Sequence, residues 1–260
     1  MNILDKIIAS KKAEVSERQK SIPLKKLERT EFFSTPTRSF KDSLLNPEKT
    51  GIITEFKRQS PSKGIINHTS TVKEVTGDYT KYGASALSVL TDEVFFGGSM
   101  QDFDIAREND IPLLRKEFII DEYQLVESKA HGADIILLIA ACLGVKEANH
   151  LAKFAKNLGL NVLLEIHHEK ELEHICPNVD VVGVNNRNLK DFKVDINHSI
   201  ELGNQIPEGK IKIAESGIHD METLLLLRDH GFQGFLIGEK FMKETDPGKA
   251  FKEFVKGLKK

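Results

Sequence analysis

The chain has 260 residues, a formal net charge of −2, two cysteines and no tryptophan. That length suits one large core, and the near-neutral balance gives no electrostatic case for nucleic acid or an anionic membrane. Cys142 and Cys176 are far apart, which argues against a disulfide framework, and no run is apolar enough to cross a bilayer.

Met1 to Ala13 carries Ile3, Leu4, Ile7 and Ile8 at helical spacing, not the continuous apolar stretch of a secretory signal. The cytoplasm is therefore the expected location. Residues 1–48 read as a helical extension, with helices near 2–20 and 34–45 and breaks at Pro23, Pro36 and Pro47. After Gly51 the pattern changes to short apolar runs alternating with amphipathic segments. Strands are expected over 51–56, 85–90, 112–117, 134–139, 161–166, 180–184, 210–215 and 234–238. Helices are expected over 71–82, 99–109, 121–130, 145–158, 168–175, 196–204, 219–230 and 247–258. Eight strand–helix units predict a (β/α)8 TIM barrel, one domain over 1–260 that includes the 1–48 extension. A doubly wound open sheet is the rival. The segment after the first strand, Lys57 to Gly64, lacks both G-x-G-x-x-G and a P-loop lysine pattern, which favours the barrel.

Side chains of equal parity share one face of a strand. Glu55 and Lys57 share a face of the first strand, Leu114, Lys116 and Phe118 one of the third, and Leu163 and Glu165 one of the fifth. Gly183, Asn185 and Arg187 run together out of the sixth, and Ile213 and Glu215 out of the seventh. A lysine on a buried strand face is costly unless paired or used in chemistry. If these faces point inward, Glu55, Lys57, Lys116, Glu165, Asn185 and Glu215 converge at the C-terminal mouth, where barrels place their active sites.

Barrels often bind phosphate with the loops after strands 7 and 8. Here those loops are Glu215-Ser216-Gly217 and Gly238-Glu239, with Arg187 and Lys57 as cationic arms. Glu239 should contribute only its backbone N–H, since its carboxylate would repel phosphate. His167 and His168 read as surface residues, with no His-Glu-x-x-His pair and no cysteine at metal spacing. Ser216 lacks a G-x-S-x-G setting. Neither a metal nor an organic cofactor is expected.

Several motifs together resemble one family. Ile53-Thr54-Glu55-Phe56-Lys57-Arg58-Gln59-Ser60-Pro61-Ser62-Lys63-Gly64 is similar to the first-strand signature of indole-3-glycerol phosphate synthases. So are Leu87 to Asp92 with Phe95-Phe96-Gly97-Gly98-Ser99, Leu114 to Ile119, Gly183 to Leu189, Ala214 to Ile218 and Phe235 to Glu239. The resemblance spans essentially the whole chain. Lys240 departs from it, standing where a small residue is more usual.

The resemblance implies ring closure, decarboxylation and dehydration of 1-(2-carboxyphenylamino)-1-deoxyribulose 5-phosphate in tryptophan biosynthesis. It implies that Lys116 is a general acid, Glu165 its acid/base partner, and Glu55 with Lys57 the pair serving dehydration. Asn185, Glu215 and Ser216 match polar pocket positions. Phe96, Phe118, Leu137, Leu189 and Leu236 match the walls around the anthranilate ring, and Ser60 and Pro61 a mobile loop. Lys57, Arg187, Ser216, Gly217, Gly238 and Glu239 match the phosphate site. Association with other tryptophan-pathway enzymes would fit. The alternatives are an aldolase-type Schiff-base lyase using Lys116 and a silent barrel that only binds a sugar phosphate.

Overall fold

The computed structural model describes residues 3–188 and 193–258. Eight parallel strands close on themselves in chain order: β1 (Ile52–Phe56), β2 (Ala86–Leu90), β3 (Leu113–Lys116), β4 (Ile135–Ile139), β5 (Asn161–Ile166), β6 (Val181–Asn185), β7 (Ile211–Glu215) and β8 (Gly234–Ile237). The architecture is the (β/α)8 barrel that the alternation predicts. Strand residues are buried almost throughout because helices cover the outside while the inward side chains fill the middle.

The inward cluster contains Ile53, Ala86, Leu114, Ile135, Leu163, Val181 and Ile213. Phe40 and Leu44, on the helix Phe40–Leu45, plug the N-terminal end of the barrel. Gly234 makes room for that plug, since a Cβ there would lie 2.8 Å from Leu44 Cδ1. With its floor closed, the barrel opens at the C-terminal ends of the strands. Their register pairs Leu90 with Lys116, Ile139 with Glu165 and Asn185 with Glu215, which brings the polar strand ends to a common level.

Helix α1 (Ile3–Ser21) packs Val15 against Tyr123 and Val126 of the helix Glu122–Ala130. Several helix starts follow their capping residues: Thr71, Ser99, Asp121, Asp195, Asp220 and Asp246 each accept a hydrogen bond from a first-turn N–H. Among the described residues no helix is long and apolar enough to cross a membrane.

The sequence reading and the structure differ at several places, three of which shape the barrel's ends. The expected 34–45 helix begins only at Phe40, because Ser39 caps it by accepting from Asp42 N–H at 3.2 Å. The expected 168–175 helix is a 3-10 helix, Glu169–His174. It lacks a side-chain cap, and Pro177 follows closely. The segment after β1 forms a small antiparallel ribbon, Gln59–Ser60 against Gly64–Ile65.

Candidate active site

Lys116 ends β3 with its side chain in the mouth. Its Nζ donates to Glu165 Oε2 at 2.8 Å and to Glu215 Oε2 at 3.4 Å. Burial works against the ammonium, but Glu165, Glu215 and Glu55 outweigh it and hold its pKa above the ordinary lysine value. A lysine held charged is in the proton-donor form, not the neutral amine that Schiff-base chemistry needs.

The two carboxylates are pushed apart. Burial raises the Glu165 pKa, yet Lys116 and His167 pull it well below the usual range. Burial raises that of Glu215, and repulsion from Glu165 and Glu55 adds to this against the pull of Lys116. One acid is thus kept ionised and its neighbour is disposed to hold a proton, the pattern of an acid/base pair. Glu215 fits because Gly183 has no side chain: a Cβ there would sit 2.1 Å from Glu215 Oε1. Asn185 Nδ2 donates to Glu165 Oε1 at 3.1 Å while its Oδ1 accepts from Arg187 N–H at 3.0 Å, which fixes the amide orientation.

Across the mouth, Lys57 Nζ donates to Glu55 Oε1 at 2.7 Å. The Glu55 side chain lies over Gly238, where a Cβ would be 2.7 Å from Oε1. Arg187 donates to Glu239 Oε2 at 3.1 Å and to Ser62 Oγ at 3.3 Å. The Glu239 carboxylate turns into the mouth and takes the cation of Arg187. Ser216 has φ of 68° and Gly217 φ of 71°, so strained backbone closes the turn after β7. Asn186 Nδ2 donates to Ser216 O at 2.6 Å, and the planar peptide then directs the Gly217 N–H to the other side.

Ser60, Pro61, Phe96, Phe118, Leu137 and Leu236 line the same cavity, with the Phe96 and Phe118 ring centroids 6.0 Å apart. The structure therefore brings together all the expected site residues except Leu189, which lies outside the described residues. Among the described residues no group of acids, histidines and cysteines is placed to hold a metal ion.

Sequence reasoning missed two features. Ile3, Leu4 and Ile7 of α1 form an apolar wall of the cavity; helical periodicity reveals an apolar face but not what it covers. His167 is buried, not on the surface, and its Nε2 lies 3.1 Å from Glu165 Oε1. The signal was present, since His167 follows Glu165 by two residues and so shares its face.

A family model described as indole-3-glycerol phosphate synthase matches residues 4–254. An indole-3-glycerol phosphate synthase of Bacteroides thetaiotaomicron is 46% identical over 258 residues, covering 99% of each chain. One of Campylobacter jejuni is 43% identical over 97% of this chain and 100% of its own. Among solved structures, 3-hexulose-6-phosphate synthase from Salmonella typhimurium superposes with a TM-score of 0.62 at 13% identity, over 80% of this chain and 97% of its own, a likeness of fold alone. With this match running from α1 to the last helix, the chain belongs to the indole-3-glycerol phosphate synthase family.

Proposed function

We propose that this barrel closes the indole ring of 1-(2-carboxyphenylamino)-1-deoxyribulose 5-phosphate, releasing carbon dioxide and water to give indole-3-glycerol phosphate. The observation that carries the reading is the Lys116 ammonium held between Glu165 and Glu215 in a mouth with aromatic walls and a cationic rim. The anthranilate ring lies against Phe96, Phe118, Leu137 and Leu236, and the phosphate reaches Arg187, Lys57 and the backbone N–H groups after β7 and β8. Lys116 gives its proton to the ketone oxygen as the ring carbon attacks. Carbon dioxide then leaves. Glu165 takes a proton from the former N–CH2 carbon as the hydroxyl on the former ketone carbon leaves as water, protonated by the Glu55–Lys57 pair.

Glu239 gives up Arg187 when phosphate arrives, and the ribbon after β1 carries Ser60, Pro61 and Lys57 over the substrate. The protein works in the cytoplasm, where association with other enzymes of tryptophan biosynthesis would shorten the path of its product. The test is fluorescence-monitored formation of indole-3-glycerol phosphate by the purified protein. No product overturns the reading, and a borohydride-trapped adduct on Lys116 with a ketose phosphate favours the Schiff-base alternative.

A further inference from the structure

Behind the cavity, one ionisable ring is buried directly against a pocket carboxylate. His167 follows the last residue of β5 and is 3% exposed. Its Nε2 lies 3.1 Å from Glu165 Oε1 and its Nδ1 lies 3.5 Å from Glu171 Oε2. Neither nitrogen has a well-aligned hydrogen bond, so the tie between the ring and the acids is electrostatic. The backbone is pinned instead: His167 N–H donates to Glu171 Oε2 at 2.6 Å, and His198 Nε2 donates to its carbonyl at 3.0 Å.

The surrounding elements supply few other charges. His168 lies beside the ring at 6.4 Å between centroids, and His198 comes from the helix Ile196–Gly203. The Cys142 thiol, after β4, feels Glu165 and Glu171 and has its pKa raised chiefly by burial. From β3, Lys116 holds the far oxygen of Glu165. Two carboxylates thus face the imidazole. Burial opposes its charge, but Glu165 and Glu171 lift its pKa to about 9.

Glu165 and Glu215 share one ammonium. Lys116 lies nearer Glu165, at 2.8 Å, than Glu215, at 3.4 Å, and Asn185 adds a neutral donor to Glu165. A second cation on the Glu165 side strengthens that asymmetry. We propose that His167 is a positioning residue whose imidazolium keeps Glu165 ionised and turned toward Lys116, ready to accept a proton during turnover. The proposal rests on the proton-transfer role given to Glu165 above.

The test compares the pH dependence of turnover in wild type, His167→Asn and His167→Gln, with His168→Asn as control. Both His167 variants should lose about 10-fold in kcat at neutral pH, where Glu165 stays ionised but is no longer held toward Lys116, with KM changed by less than about threefold. The acid limb of the kcat profile should move up by about one pH unit as Glu165 loses a cation. His168→Asn should match wild type. A folded His167 variant with an unmoved acid limb overturns the proposal, even if its Tm falls, because a packing role would lower Tm alone. A second readout needs no His167 variant: NMR of the imidazole should show it cationic at pH 7.5 in wild type and titrating lower in Glu165→Gln. A neutral ring at pH 7.5 also overturns it. Wild type that forms no indole-3-glycerol phosphate overturns the proposed function instead, and the NMR titration then decides the His167–Glu165 pairing by itself.

Discussion

Adjacent residues at the end of β3 serve two charge clusters set back to back. Lys116 faces the barrel mouth, while Arg115 and Glu117 face outward under α1. The outer cluster is saturated. Arg115, fully buried, donates to Thr91 Oγ1, Gln124 O, Ser128 Oγ and Glu127 Oε2. Glu117 accepts from Thr91 Oγ1 and from Phe118 N–H. Lys11 of α1, 1% exposed, reaches Glu14, Asp92 and Glu117 within 3.0 Å. The inner cluster is left incomplete: Lys116 serves two acids, and Glu215 Oε1 has no hydrogen-bond partner. Satisfied buried charge fixes α1 to the barrel, whereas the Lys116 ammonium, shared between two acids at the mouth, is available to a substrate.

Breaking the outer cluster should affect stability most. Arg115→Met leaves Glu127 and Glu117 short of a buried partner, which costs about 3–5 kcal/mol. At roughly 2–4 °C per kcal/mol for a chain this long, thermal denaturation should show Tm falling by about 6–20 °C. Turnover per folded molecule should stay within a few-fold of wild type at low temperature. A variant that keeps its Tm but loses activity would mean that the outer cluster belongs to the chemistry.

Breaking the inner cluster should do the reverse. Lys116→Met removes the acid and should lower turnover about 100-fold or more. Binding of a product analogue and Tm should change little, since one of the two acids can take up a proton once the ammonium is gone. Near-wild-type turnover would remove Lys116 from the general-acid role.

Much of this contrast was legible in the chain. The period-2 alternation and the apolar runs predicted all eight strands, and parity alone sent Glu55, Lys116, Glu165, Asn185 and Glu215 to one mouth. The outer cluster was not legible. Nothing in the sequence says which face of the N-terminal helix brings Lys11 to Asp92 and Glu117. His167 was lost to its neighbour: two adjacent histidines suggest surface, but only His168 is exposed. The 3-10 helix after it was also hidden, since the charges of Glu169 to His174 suit either an α-helix or a 3-10 helix.

The rim offers a smaller effect. Arg187→Ala should weaken a phosphorylated product analogue about 10- to 30-fold, because a guanidinium pairs with phosphate oxygens through its fixed fork of donors. A dephosphorylated analogue should bind almost as before. Titration calorimetry with both ligands separates the cases, and equal loss for both would place Arg187 outside the phosphate site.

The smallest effect separates the clusters by pH. In the outer cluster, burial opposes the charge of Lys11 but Glu117, Glu14 and Asp92 raise its pKa, and burial opposes that of Glu127 but Arg115 and Arg18 lower it. Neither should change charge near neutrality. Behind the inner cluster, the His167 pKa stands at about 9, above the value of 6.5 for an ordinary histidine. A folded-state pKa raised in this way contributes stability that is complete below the unfolded pKa and is lost as pH rises through the folded one. The full span corresponds to about 3 kcal/mol, of which roughly 1–2 kcal/mol should vanish between about pH 7 and pH 8.5. Wild-type Tm should therefore fall by about 2–8 °C over that interval. Glu215, also raised, contributes in the same direction, so the wild-type slope alone does not isolate the histidine. The difference does: His167→Asn should start lower at pH 7 and converge on wild type above about pH 9. Parallel Tm curves across this range would mean that the ring is uncharged in the folded protein, and Glu165 would then be held as an anion by Lys116 and Asn185 alone.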